Sequence, residues 1–299
     1  MRNTMKEVVA VELAFTKMNG LGNDFIVIED LDQDLDLDSS AVVWLCDRHF
    51  GVGADGVILV RPAMSAEADY AMHYVNADGS VAEMCGNGAR CFAKYLVDHG
   101  LVSAETSSLM IETLGGIRPV RVTREPDGTM ATATVDMGKP VLETRKIPVL
   151  IDDDLACEYP LETPAGTVKI TAVSMGNPHA VIWVDDIDEA PVDTIGPLIE
   201  THPAFPHRTN VEFAELVDQE RIRLRVWERG CGETLACGTG ACATLVAAAL
   251  SCRTGRTATI ELPGGELFIE WDPDEHVYMT GSAAEVFRGA ITLEEDDER

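Results

Sequence analysis

The chain has 299 residues, 46% of them hydrophobic, which suggests two globular domains sharing a continuous core and argues against a disordered segment. Fifty-one acidic residues against 23 basic ones, only six of them lysine, leave a net charge of −28. A single-sign field of that size repels phosphate backbones, so nucleic acid and anionic membranes are poor partners.

No run approaches the ~18 apolar residues of a membrane span. The first fifteen residues, MRNTMKEVVAVELAF, mix charges too freely for a signal peptide. A cytoplasmic location is therefore expected. The acidity reads as a solvated surface, and it suggests a salt-rich host in which counterions screen the repulsion.

From the N-terminus, a polar Gly-Asn turn leads into FIVIED, which reads as a strand. SSAVVWLCDRHFG (39–51) reads as helical and YAMHYVN (70–76) as an alternating strand. EMCGNGARC (83–91) then opens a helix. Ala89, Phe92, Ala93, Leu96 and Val97 fall on one face of it, and Gly100 stops it. Gly115-Gly116 marks a hairpin.

The same grammar then recurs. Asn23 aligns with Asn177 (shift 154), YAMHYVNADG with RIRLRVWERG (shift 151), Cys85 with Cys237 (shift 152) and IETLGGIRPVRV with IELPGGELFIEW (shift 149). AVIWVD and RLRVWE supply the second copy's strands, and VDTIGPLIETHP (192–203) its first helix. GACATLVAAALSC (240–252) reads as its buried helix and Gly264-Gly265 as its hairpin.

The fold class is α+β. Two pseudo-twofold-related domains from one duplication are expected, each a mostly antiparallel or mixed sheet wrapped around a central helix. The first covers 1–130, with 283–299 returning to it through AEVFRGAITL, and the second covers 131–282.

The eight cysteines (46, 85, 91, 157, 231, 237, 242, 252) include no C-x-x-C pair, which argues against a zinc ribbon or a thioredoxin-type couple. Most are expected to be small buried hydrophobes. Cys91, Cys242 and Cys252 fall on or near apolar helix faces. Cys85 and Cys237 differ, because each stands at the start of a helix, where free N–H groups and the helix dipole favour a thiolate. Gly86 and Gly238 let a ligand carboxylate reach the same N–H groups. Neither turn carries the Gly-Lys-Ser/Thr of a phosphate loop. If the copies bring their helix starts together, a carbon acid between them meets a thiolate on one face and a thiol on the other. The outcome is inversion of a stereocentre without a cofactor.

At FTKMNGLGNDF (15–25), RHFGVGADGV (48–57), NADGSVAEMCGNGARC (76–91), SMGNPHAV (174–181), TNVEF (209–213) and ERGCGETLACGTGACA (228–243), the chain closely resembles the diaminopimelate epimerase family. The resemblance implies epimerisation of LL- to meso-2,6-diaminopimelate in lysine biosynthesis, with no cofactor or metal, by a homodimer. It implies Cys85 and Cys237 as the acid/base pair. Gly86, Asn87, Gly238 and Thr239 would hold the reacting carboxylate, and Glu228 and Arg229 would capture an ammonium and a carboxylate. Asn23, Asn76, Asn177 and Asn210 would bind substrate, and His179 and Glu228 would tune the thiols.

Two departures stand out. Gly56 occupies a position where many family members carry glutamine, and it receives no binding role. Cys231 interrupts the ERG-GET turn, with no role fixed by the sequence. The competing readings are a proline or hydroxyproline racemase of the same fold, which is not expected to carry GNPH or ERG-GET, a thiol redox enzyme, and a non-catalytic carboxylate-binding module.

Overall fold

The computed structural model describes residues 9–35 and 37–295. Residues 1–8 and 296–299, which belong to the leading and closing segments read above, and residue 36 lie outside the described residues. The first copy builds β1 (Val9–Gly20), β2 (Asn23–Glu29), α1 (Ser39–Cys46), β3 (Gly56–Pro62), β4 (Tyr70–Asn76), α2 (Gly86–Asp98), β5 (Ser108–Thr113), β6 (Gly116–Arg124) and β7 (Met130–Asp136). The second builds β8 (Tyr159–Thr163), β9 (Gly166–Ser174), β10 (Pro178–Val184), α3 (Val192–Glu200), β11 (Asn210–Leu216), β12 (Arg221–Glu228), β13 (Gly232–Thr234), α4 (Gly238–Leu250), β14 (Thr257–Leu262), β15 (Gly265–Trp271) and β16 (Val277–Gly281). A last strand, β17 (Ala284–Glu295), follows.

The two ladders repeat strand for strand. In the first, β1–β2 is antiparallel, β2–β3 parallel, β3–β4 antiparallel and β4–β5 parallel, and β5–β6–β7 is an antiparallel meander. In the second, β9–β10, β10–β11, β11–β12, β12–β14 and the β14–β15–β16 meander take the same directions in the same order. The meanders join the copies, since β16 lies antiparallel to β7 with Tyr278 opposite Asp136. β17 returns along β1, antiparallel, with Ala290 opposite Ala14.

Residue type explains the local choices. The parallel pair β2–β3 has both faces covered, so Phe25–Ile28 and Val57–Val60 are continuous buried apolar runs. β12 has one covered face and alternates, burying Ile222, Leu224 and Val226. α2 and α4 stand in one contiguous apolar core, where Ala89, Phe92 and Leu96 join Ala241, Leu245 and Val246. α1 and α3 seed separate smaller clusters on the outer sides of their sheets. Among the described residues no helix is long and apolar enough to cross a membrane.

The expectation that most cysteines are buried needs correction. Cys46, Cys91, Cys237 and Cys242 are buried, Cys85 and Cys157 are half-buried, and Cys231 and Cys252 are exposed. Cys252 does not pack on the helix face. It ends α4 in the left-handed region at φ 56°, while the Arg253 N–H closes on the Ala248 carbonyl at 2.9 Å. Gly100 does the same job for α2 at φ 70°, with Leu101 N–H on the Leu96 carbonyl at 3.0 Å. The repeat pairs the two positions, and only the first carries the residue suited to that backbone.

Candidate active site

Cys85 and Cys237 are the N-caps of α2 and α4. Each has extended backbone (φ −138°, ψ 116° and φ −128°, ψ 107°), which turns the thiol back over the first helical turn. Each Sγ then accepts an N–H from three residues on, Gly88 for Cys85 and Gly240 for Cys237, both at 3.4 Å. The turn before each thiol is clipped to the following hairpin in the same way. Gly115 N–H donates to the Glu83 carbonyl at 3.0 Å, and Gly264 N–H to the Leu235 carbonyl at 2.9 Å.

The two helix starts abut. A β-carbon at Gly238 would lie 3.0 Å from Met279 Sδ and 3.3 Å from Asn87 Oδ1, and one at Gly86 would lie 2.7 Å from Met279 Cε. Met279, from β16, is thus wedged against both starts, and Asn87 of the first copy reaches Gly238 of the second. Glycine at 86 and 238 is what lets Met279 approach both helix starts this closely.

The surroundings of the two thiols differ. Beside Cys85, Asn23 Oδ1 accepts from Asn87 Nδ2 at 3.1 Å and lies 3.9 Å from the sulfur. Asn23 Nδ2 in turn donates to Asp55 at 2.8 Å. Asp55 and Asp24 share the exposed Arg48, and Asp24 also pairs with Lys17. Beside Cys237, Thr239 Oγ1 lies 3.5 Å from the sulfur and 3.4 Å from Asn177 Nδ2. Asn177 Oδ1 meets His179 Nε2 at 2.9 Å, and His179 Nδ1 meets Glu212 Oε1 at 2.7 Å, both side chains being wholly buried. His179 thus bridges Asn177 to Glu212, with a side-chain oxygen at each ring nitrogen. The other oxygen, Glu212 Oε2, and Asn87 Oδ1 are buried acceptors without a hydrogen-bond partner among the described residues.

Burial pushes the Cys85 thiol up, against the Gly88 N–H and the Arg90 charge, which pull it down. Burial pushes Cys237 much further, and the carboxylates of Glu228 and Glu212 add to it. Glu228 is itself raised by burial and accepts the Thr234 hydroxyl.

The remaining expected residues are placed as follows. Asn210 is buried and both ends of its amide are held by backbone. Its Nδ2 donates to the Pro178 carbonyl and its Oδ1 accepts from Arg229 N–H, each at 2.9 Å. It staples the GNPH turn to the ERG turn. Arg229 Nη1 reaches the His207 carbonyl at 3.1 Å. Asn76 bonds Ser80 within its own turn, at 3.0 Å, and stands opposite Gly56 in the β3–β4 ladder. At Gly56 a β-carbon would lie 2.6 Å from the Val75 carbonyl oxygen and 2.5 Å from the Tyr74 ring, so this backbone has no room for a glutamine there.

Glu212, Asp55, Met279 and Arg90 were not singled out from the sequence. Glu212 left a signal, being a carboxylate in the middle of the buried β11 run, where the repeat places Ile58 in the first copy. Asp55 left none beyond its place in GADG.

A family model described as diaminopimelate epimerase matches residues 15–143 and 171–286. A diaminopimelate epimerase of Pelotomaculum thermopropionicum is 52% identical over 92% of this chain and 97% of its own. Another, of Acetivibrio thermocellus, is 47% identical over 95% of this chain and 100% of its own. Among solved structures, a hydroxyproline epimerase of Agrobacterium vitis with bound trans-4-hydroxy-L-proline superposes with a TM-score of 0.65 at 16% identity. That match covers 99% of this chain and 95% of the other, and it is a likeness of fold alone. With the motifs, the family model and relatives near half identity in agreement, this chain belongs to the diaminopimelate epimerase family.

Proposed function

We propose that this protein is an isomerase that interconverts LL- and meso-2,6-diaminopimelate, a step of lysine biosynthesis, with Cys85 and Cys237 as its two acid/base groups. The observation that carries the reading is the pair of N-capping cysteines at matching positions of two abutting helix starts. First-turn N–H groups at Gly86–Asn87 and Gly238–Thr239, which have no partner within the helix ladder, suit the carboxylate of an amino acid, and the two helix dipoles favour its charge. As negative charge develops on that carboxylate during proton removal, the same donors stabilise it more strongly.

The thiolate on one side takes the α-proton, giving a thiol and a carbanion stabilised through the carboxylate. The thiol opposite then protonates the carbanion on its other face and is left as the thiolate. Atoms and charge balance without a redox step. The cysteines have exchanged roles at the end of one turnover, so the return reaction or proton exchange with solvent resets them.

The groups around the thiols support a substrate with two zwitterionic ends. Asn23, Asn87 and Asn177 offer neutral donors and acceptors, and Glu228 and Arg229 offer charges of both signs. A buried partner left unmatched costs ~1–3 kcal/mol, which penalises a substrate lacking the distal amino and carboxyl groups. Purified, reduced protein given LL-diaminopimelate, proline and trans-4-hydroxyproline in turn should invert only the first. C85A and C237A should each lose net epimerisation. Sustained turnover by either variant removes that cysteine from the mechanism, and comparable activity on proline overturns the substrate assignment.

A further inference from the structure

Arg90 is wholly buried on α2, five residues after Cys85, and among the described residues it makes no ion pair with a carboxylate. Its Nε donates to the Ser282 carbonyl at 3.2 Å and its Nη1 approaches Met279 Sδ at 3.5 Å, while Nη2 has no hydrogen-bond partner among the described residues. Met279 is the side chain wedged against Gly86 and Gly238. An unpaired buried guanidinium is strongly unfavourable, and arginine does not escape by losing its proton. Here it stands beneath two helix N-termini whose dipoles are also positive. Such a concentration of positive potential calls for an anion at the helix starts.

The repeat shows that this feature belongs to one copy. At the shift of 152 that aligns the catalytic cysteines, Arg90 falls on Cys242. At the shift of 154 that aligns Asn23 with Asn177, the buried His179–Glu212 pair falls on Phe25 and Ile58. Cys85 therefore faces the Arg90 cation together with the Glu228 carboxyl, whereas Cys237 faces both Glu228 and Glu212. The other titratable groups near Arg90 are Cys91 on α2 and Cys242 on α4. Tyr74 from β4 also faces Cys85. The nearby Lys17–Asp24 and Lys94–Asp98 pairs are internally neutralised.

We propose that Arg90 is a positioning residue that sets which thiol of the site ionises first, favouring a thiolate on Cys85 while Cys237 keeps its proton. The free enzyme is then poised to remove a proton with Cys85 and to deliver one with Cys237. This rests on the two-thiol reading above.

The test is site-resolved alkylation of the reduced protein with iodoacetamide across pH, with the Cys85 and Cys237 peptides quantified by mass spectrometry. The pH midpoint of each reports its ionisation whatever its exposure. In the wild type Cys85 should titrate below Cys237. In R90Q the Cys85 midpoint should rise by about one unit, a tenfold loss of thiolate at pH 7.5, and R90K should restore most of it. An unchanged Cys85 midpoint in folded R90Q overturns the proposal. So does a wild type in which Cys237 titrates first, a result that needs no variant to fold. A parallel epimerase assay keeps the two claims apart, because a wild type that alkylates in the expected order but does not epimerise sinks the two-thiol reading and leaves the charge assignment standing.

Discussion

The His179–Glu212 pair offers a perturbation whose control is written into the same chain. Both side chains are wholly buried, 2.7 Å apart, and a β-carbon at Gly240 would sit 2.9 Å from Glu212 Oε1 and 3.2 Å from Cys237 Sγ. At the matching place beside Cys85, a β-carbon at Gly88 would sit 3.3 Å from Ile58 Cδ1. Breaking a buried pair by removing one partner costs ~3–5 kcal/mol, because a charge or an unpaired donor is left without water. E212A should therefore lower the melting temperature by about 6–10 °C, at ~2 °C per kcal/mol for a chain this long.

The double variant H179F/E212I installs the apolar pair that the first copy carries as Phe25 and Ile58. It removes both partners together and should melt within about 3 °C of the wild type, since replacing a buried pair by packed apolar groups is neutral or stabilising. It should nonetheless be inactive, because Asn177 loses its partner and Cys237 the groups around it. Thermal melts and epimerase assays on the wild type, E212A and the double variant decide the matter. A loss below about 1 kcal/mol in E212A, or normal turnover in the double variant, refutes the reasoning.

Other expectations follow from single features. Burial pushes Cys46 to about 11 and Cys91 and Cys242 to about 12, so the fold keeps protons that the unfolded chain gives up from about pH 9. Their contribution to stability is thus fully present below pH 9 and is lost as pH rises toward 11–12; a denaturation midpoint that stays flat from pH 8 to 10.5 contradicts this. C252G should raise the melting temperature by about 1–2 °C, since glycine accepts φ 56° at the end of α4 without the ~1–2 kcal/mol strain of a side chain, less its own entropy cost. An unchanged or lower value argues that no strain is stored there. G56Q should destabilise the fold by at least ~1–3 kcal/mol, because its β-carbon meets the Val75 carbonyl at 2.6 Å; a stable and active variant shows that this backbone yields. With a net charge of −28, the melting temperature should rise between low and molar salt, and a flat profile removes screened repulsion as a factor.

The duplication was legible because it is spelled by residues with strict backbone or chemical demands. Gly-Asn turns, Cys-Gly helix starts and Gly-Gly hairpins survive divergence where apolar positions drift, and four such blocks fixed the repeat, the helix starts and the thiols. Residues 137–172, including β8 and the hairpin it makes with β9, have no counterpart in the aligned blocks and gave no comparable signal. The side-chain partners were less visible still. Glu212 and Arg90 act from inside elements whose pattern says only that they are buried, and nothing in a linear pattern tells which buried charge meets which thiol. Cys252 misled because it follows an apolar helix face by spacing, while its actual position is the left-handed stop that Gly100 announces openly in the first copy. Asn210, expected to bind substrate from its motif, also bonds the Pro178 carbonyl and the Arg229 N–H, partners that no linear pattern announces.

The account depends on two sulfurs flanking one carbon from opposite sides. The most direct measurement is the fate of the α-hydrogen when LL-diaminopimelate turns over in heavy water, followed at early times by proton NMR and mass spectrometry. Two opposed thiols predict deuterium in the newly formed meso product while recovered substrate still carries protium. Equal early labelling of substrate and product, as one group serving both faces would give, contradicts it.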